Sequence, residues 1–458
     1  MHATALHATQ IEGKGGGVMA AQAVPAGELL LRARGLHFSA ASSSEAERAG
    51  SAFLAESLQQ LCQLRAGGPA DVADADAFLG GWRGLCPRPV PAAAKAPLEA
   101  QAELLQEMLT HFDGCGVESI EHLIELVLKV ECNAFEGGLF PLAAVFNHSC
   151  ASNCSVALRQ VELDAAGAEA MAEGAAQGWV YEVRSMADVA KGEELCLNYL
   201  GLVTQHLASY GRKAVLSGWG FDCACVRCAS PDGSAWQGRE AALVAVPCPV
   251  CAAPQAELAK EDYDKGPWCR QLADDAVGPC MACGERPPAA VTDGLLAVAA
   301  SFQTGENLAT SADHCRTRTG PRHWLRFALA EATAAESLNT ALALRGDEGQ
   351  ATAFRTAVIE HLGACKTAVL WAGEAKCYAA YERGWARLLE RYATALRAAA
   401  GAGLGADDLA GWDDELAMIA GVTAPAAGWS LTEAAGAVER RAMEIMRIGY
   451  GGYDSYDQ

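Results

Sequence analysis

Apolar residues at positions 120, 123, 124, 127, 128 and 130 recur at helical spacing. They predict a helix from Glu118 into the segment Cys132-Asn133-Ala134-Phe135. Between Leu139 and Tyr199 the rhythm changes. Trp179-Val-Tyr-Glu-Val-Arg alternates apolar and polar, Glu194-Leu-Cys-Leu-Asn-Tyr does the same, and both read as strands. Residues 11–34 carry four glycines (Gly13, Gly15, Gly16, Gly17) and short apolar runs around a Pro25-Ala-Gly27 turn, which predicts a small antiparallel β unit. Residues 44–112 are rich in Ala, Leu and Gln and broken by Gly/Pro-rich stretches at 66–70 and 86–97, so two helical segments are expected in an insertion. Residues 203–216 are again helical in pattern. Past about residue 290 the chain turns to Ala, Leu, Glu and Arg, with candidate helices near 325–345, 350–372, 374–399, 406–420 and 430–447. Paired helices of this length suggest a helical array, although no strict repeat signature is legible. The expected fold class is α+β.

A chain of 458 residues is too long for one ordinary core, and two or three domains are the prior. A hydrophobic fraction of 51% with 20% charged residues is that of a globular protein, and no apolar run is long enough for a bilayer. The N-terminal residues lack a basic region followed by an apolar stretch, so no secretory signal is expected. The net charge of −21 disfavours direct binding to a nucleic acid, which needs clustered Lys and Arg. It suits a basic peptide, and it also suits solubility alone.

Eighteen cysteines without an export signal point first to metal ligands. Cys223, Cys225 and Cys228 form a C-x-C-x-x-C run, one ligand short of the four that structural zinc requires. Cys248-Pro-Val-Cys251 and Cys280-Met-Ala-Cys283 are two C-x-x-C knuckles and read as a four-cysteine, zinc-ribbon-like site, with Cys269 able to displace one of them. The isolated cysteines elsewhere read as small core residues.

Three strings occur in order: Val145-Phe-Asn-His-Ser-Cys-Ala-Ser-Asn-Cys154, Gly192-Glu-Glu-Leu-Cys-Leu-Asn-Tyr199, and the run ending at Cys228. Together they resemble the catalytic half of a SET-domain protein-lysine methyltransferase, closest to the SET-and-MYND subgroup. The resemblance covers most of residues 11–228. It implies S-adenosylmethionine as cofactor, held by Lys14, Gly15, Gly16 and Gly17 in the N-terminal glycine motif, and by Asn133, Asn147, His148 and Phe221. Tyr199 matches the catalytic tyrosine and also borders the cofactor. Trp219 stands where the subgroup has a tyrosine beside the target lysine, so Tyr199 and Trp219 would line the lysine channel. Cys150 would complete a zinc site with Cys223, Cys225 and Cys228, giving two structural zinc ions in all.

The resemblance partitions the chain into SET halves at 1–40 and 117–200, a helical insertion at 41–116, a post-SET zinc segment at 201–230, a zinc-ribbon-like segment at 240–290, a helical, tetratricopeptide-like domain at 291–450, and a disordered tail at 451–458. It also fails in places. Residues 41–116 hold only Cys62, Cys86 and Cys115, none in a C-x-x-C pair, so the MYND finger is absent. Ala151-Ser152 replaces the usual Asp-Pro. The implied partner is a protein or peptide bearing a target lysine, with the helical domain open to partner proteins, no membrane, and an intracellular setting in nucleus or cytoplasm. A catalytically silent, zinc-stabilised peptide-binding scaffold is the competing function.

Overall fold

A computed structural model of the chain describes residues 6–37, 59, 82, 85, 92–100, 102–111, 117, 119–135, 138–162, 177–200, 204–229, 235–251, 266–272, 276–304, 308–375, 383–404, 412–422 and 429–450. The tail at 451–458 and most of the 41–91 stretch lie outside the described residues. The chain divides into two compact units: residues 1–198, 216–222 and 453–458 form the first, and residues 199–215 and 223–452 the second.

The first unit is a set of short sheets around one main helix. Strands β1 (Leu6–Ile11) and β2 (Gly15–Ala20) make an antiparallel hairpin in which Ile11 faces Gly15. Gly13 and Gly15 sit at φ 73° and 82°, the left-handed region where a side chain is strained, so glycine is required to turn this chain. β3 (Leu29–Arg34) is the edge of a second sheet whose order is β3-β8-β7, with β7 at Cys154–Glu162 and β8 at Gln177–Ser185. β4 (Leu36–His37), β5 (Ala134–Phe135) and β6 (Gly138–Leu139) form a third.

Helices α1 (Ala92–Glu99) and α2 (Ala102–His111) both pack against α3, which runs Ile120–Asn133. The Ser119 hydroxyl accepts from the His122 amide and starts α3, which buries Leu123, Ile124, Val127 and Val130, the predicted apolar stripe. α1 begins inside the stretch that sequence composition marks as an interruption. Its short length lets Pro97 sit in it at the cost of one backbone bond.

Two strand expectations need correction. β1 precedes the predicted β unit, and its pattern was illegible because the Leu6–Ile11 strand leaves most of its side chains partly or wholly exposed. Glu194–Tyr199 is no continuous strand. It divides between two partners: Glu194 bridges Met19 antiparallel, and Leu197 bridges His148 parallel. The alternation in the sequence does not map onto burial, since Leu195, Cys196 and Leu197 are all buried.

The second unit opens with α4 (Ser209–Leu216, its last residue belonging to the first unit), α5 (Val226–Ala229) and α6 (Ala235–Leu243). A two-stranded sheet follows, β9 (Ala245–Pro247) with β10 (Trp268–Arg270). Helices α7 (Ala289–Thr304), α8 (Leu308–Arg318), α9 (Trp324–Leu344), α10 (Ala351–Ala375) and α11 (Arg383–Gly401) then pack each on the next. α12 (Asp413–Ala420) packs on α13 (Leu431–Tyr450), which lies against α11. Among the described residues no helix is long and apolar enough to cross a membrane.

Candidate active site and cysteine clusters

The β1–β2 hairpin meets the Asn147-His148 loop through hydrogen bonds. The Asn147 side-chain amide donates to the Gly16 carbonyl and to the Glu194 carboxylate, both at 3.0 Å. The other Glu194 oxygen takes the Lys14 ammonium at 2.5 Å. One carboxylate therefore orients a neutral amide and a cation at once. Backbone bonds lock the same frame: the Leu195 amide donates to the Val18 carbonyl at 2.8 Å, Leu197 to Asn147 at 2.9 Å and Ser149 to Leu197 at 2.9 Å. Asn153 ties the return, its amide to the Glu194 carbonyl at 2.8 Å and its carbonyl oxygen receiving the Cys196 amide at 2.9 Å.

The glycines of the hairpin are not equivalent. A methyl group added at Gly17 would stand 2.5 Å from the Asn147 amide nitrogen and closer still to Ile11, whereas Gly15 and Gly16 face open space. Gly17 is fixed by sterics, Gly15 by its backbone angle, and Gly16 contributes its carbonyl. A close approach of backbone to amide here is what a site for a small polar ligand needs.

His148 is buried, with Nε2 3.2 Å from the Cys150 sulfur and its ring centroid 5.8 Å from Phe221. Trp219 ends a short 3-10 turn, Ser217–Trp219, that packs against α3. Asn133 closes α3, buried, with its amide donating to the Lys129 carbonyl at 2.8 Å. Lys14, the three glycines, Asn133, Asn147, His148, Trp219 and Phe221 thus all belong to the first unit. The structure links the hairpin to Asn147 and His148 to Phe221. Tyr199, half-buried, follows Asn198 directly and is the first residue of the second unit. Glu194 is the site residue that the sequence reading missed; its signal was its place in Gly-Glu-Glu-Leu opposite Lys14.

In the second unit, the sulfurs of Cys223, Cys225 and Cys228 lie within 4.8 Å of one another. The buried Arg212 guanidinium stands 3.5 Å from the Cys228 sulfur and is paired with Glu240, which also binds the buried Arg227 at 2.6 Å. A cation beside thiolates stabilises their charge. Cys248, Cys251, Cys280 and Cys283 likewise fall within 4.8 Å, and Cys269 stays outside that set, buried in the adjoining core. Burial, then the neighbouring Cys248 and Cys280, push the Cys269 thiol up to about 12. At Cys248, burial opposes ionisation but the amides of Cys251 and Val250 prevail and lower the thiol to about 7.

Residues 15–200 match the family described as SET domain. Over 123 residues the chain is 28% identical to histone-lysine N-methyltransferase SMYD3 of Mus musculus, a match covering 25% of this chain and 24% of that protein, and the Homo sapiens protein gives the same figures. Histone-lysine N-methyltransferase Smyd1 of Mus musculus is 25% identical over 121 residues, 24% of this chain and 23% of the relative. The match spans about a quarter of the length of these curated relatives.

Proposed function

With a SET domain over residues 15–200 as the premise, we propose that this protein is an S-adenosylmethionine-dependent protein-lysine N-methyltransferase. The observation that carries the reading is the Asn147 amide held between the Gly16 carbonyl and Glu194, over a Gly17 where an added methyl would crowd Asn147 and Ile11. That arrangement fits the polar end of the cofactor, with His148 and Phe221 offering ring faces beside it. When bound, S-adenosylmethionine supplies an electrophilic methyl group on a sulfonium.

The chain's own part is binding and orientation. Lysine in water has a pKa of about 10.4, so presenting it neutral near pH 7 costs about 4.6 kcal/mol. An apolar channel beside a cation lowers that cost through desolvation and like charge. Trp219 supplies an aromatic wall for the lysine stem and head. The Tyr199 hydroxyl orients the amine lone pair towards the methyl, so most of the acceleration comes from positioning and electrostatics. Trp219 in place of a tyrosine removes one hydroxyl from the channel and bears on how many methyls are added. The acidic chain favours a basic protein segment, histone or other, as substrate.

The same reading assigns Cys150 as the fourth ligand of a zinc ion with Cys223, Cys225 and Cys228. Three gathered thiols beside Arg212, and a buried Cys150 two residues after His148, support it. Calorimetry with S-adenosylmethionine, followed by methyl transfer to a peptide array, tests the function. One binding site and labelled lysine are expected. Tyr199→Phe should keep cofactor affinity and lower turnover by the ~2.7–4 kcal/mol typical of one lost oriented donor. Cofactor binding without any transfer would favour the silent scaffold. A Cys150→Ser protein with unchanged zinc content would refute the ligand assignment.

A further inference from the structure

The cysteine set in the second unit has the dimensions of a metal site. The sulfurs of Cys248 and Cys283 are 3.8 Å apart, as are those of Cys251 and Cys280. A disulfide would need about 2.05 Å. Four thiolates about 2.3 Å from a central zinc stand about 3.8 Å from one another along the edges of the tetrahedron. Both of these edges have that length. The backbone is also arranged for thiolates: the Cys251 amide points at the Cys248 sulfur at 3.5 Å, and the Ala282 amide at the Cys280 sulfur at 3.4 Å. Gly284, at φ 75°, closes the second knuckle by donating to the Cys280 carbonyl at 2.9 Å.

Where this set sits gives it a role. Cys248 and Cys280 are part of the same buried cluster as Val291, Leu295 and Val298 of α7. Cys315 of α8 and Leu325 of α9 join that cluster too. α7 is the helix at which the serial packing of the array begins. The β9–β10 pair that carries the knuckles has three residues per strand, far too little to hold its shape alone. We propose that Cys248, Cys251, Cys280 and Cys283 bind one zinc ion, releasing their thiol protons to solvent, and that this ion staples the cysteine module onto α7–α9 to seal the first end of the helical array. Cys269 is a core residue beneath the ion. The assignment is independent of the methyl-transfer reading, because none of its four cysteines is among the residues assigned to the cofactor, the lysine or the Cys150 zinc.

Cys283 is exposed, so Cys283→Ser removes a ligand without opening a cavity. The full chain carrying it should hold one zinc fewer than wild type by elemental analysis. Amide hydrogen exchange across residues 289–318 should speed up at least tenfold, with residues 431–450 unchanged. Cys269→Ala should retain the zinc. Unchanged zinc content in Cys283→Ser would overturn the site. Lost zinc with unchanged exchange would overturn its sealing role. Zinc lost from Cys269→Ala would overturn the ligand set, and iron in place of zinc would overturn the metal.

Discussion

Each unit holds a buried polar group that shapes its response to acid, and the two are of opposite kinds, although the second unit also buries the ion pairs of Arg212 and Arg227 with Glu240. The first unit buries an ionised one: Glu182 on β8, 1% exposed, receives Arg32 from β3 at 2.8 Å, Arg159 from β7 at 3.0 Å and Arg184 at 3.3 Å. The second buries neutral imidazoles. His206 packs 4.4 Å from the Phe327 ring, and its Nδ1 has no hydrogen-bond partner among the described residues. His323 caps α9 by accepting the Leu325 amide at Nδ1, while its Nε2 is likewise unpartnered. Burial above all, then Arg227, lowers His206 to about 3, and burial with Arg326 does the same to His323. A surrounded carboxylate resists acid; a desolvated imidazole does not. Burial beside paired arginines and burial without a counter-charge therefore set different acid limits.

The largest effect expected is at Glu182. Removing it leaves the largely buried Arg159 and Arg184 without their carboxylate, Arg32 being 55% exposed and open to water, and breaking a buried ion pair costs about 3–5 kcal/mol. Urea titration of Glu182→Ala should show that loss in the first unit. A loss under about 1 kcal/mol would mean the arginines are satisfied by water and the contrast fails. Burial opposes ionisation of Glu182, but the Arg32 hydrogen bond and the three positive charges outweigh it and hold its pKa below the ordinary 4.5. Its stabilisation is therefore present above pH 4.5 and is lost only as pH falls through the lowered native value.

The histidines act sooner. Unfolded, each takes up a proton near 6.5; folded, it stays neutral down to about 3. The unfolded state binds more protons between those values, so stability falls with pH across that window. At pH 5 each histidine costs about 2 kcal/mol, and the pair about 4 kcal/mol. Hydrogen exchange in α9 and α10 should accelerate between pH 7.5 and 5 while β7 and β8 hold. His206→Leu should remove about half of that dependence. An equal pH slope in wild type and variant would remove His206 from the account.

Much of this was legible in the chain and some was not. The stripe on α3 names its element because its buried residues recur at helical spacing, and the β-branched and aromatic run at 179–184 names its strand although Val180, Tyr181, Glu182 and Val183 are all buried. The C-x-x-C pairs declare their partners by spacing. Glu182 and the two histidines gave no signal, since nothing local distinguishes a buried charge from a solvated one. Arg212 and Glu240 are similar: their neighbours are brought by tertiary packing. The split partnership of Glu194–Leu197 was hidden because alternation records faces and not the identity or direction of the paired strand.

Within the first unit, the glycine hairpin sharpens the contrast between steric and electrostatic control. Gly17→Ala places a methyl against the Asn147 amide, and both Asn147 and Ile11 can move to accommodate it. Stability should fall by about 1–3 kcal/mol, the usual range for overpacking. Cofactor affinity should fall further, because the shift pulls Asn147 off Gly16 and Glu194. Gly16→Ala, which faces open space, should leave stability within about 0.5 kcal/mol. Equal effects at the two positions would sink the argument that Gly17 holds Asn147.

The smallest effect is the most discriminating. Lys14 and Glu194 are partly exposed, with 38% and 18% of their side chains accessible. An exposed pair contributes about 0.2–1 kcal/mol and is screened by salt. If Lys14 serves only to hold Glu194 against Asn147, Lys14→Met should weaken S-adenosylmethionine binding by no more than about fivefold. That deficit should shrink in 1 M salt, where wild type loses the same ion pair to screening. Asn147 would still be held by Gly16 and by the uncharged geometry of its bond to Glu194. A fall beyond about tenfold that persists at high salt would instead place the Lys14 ammonium on the ligand itself. Calorimetry at two ionic strengths separates these outcomes, because a buried contact to ligand is screened far less than a solvated ion pair.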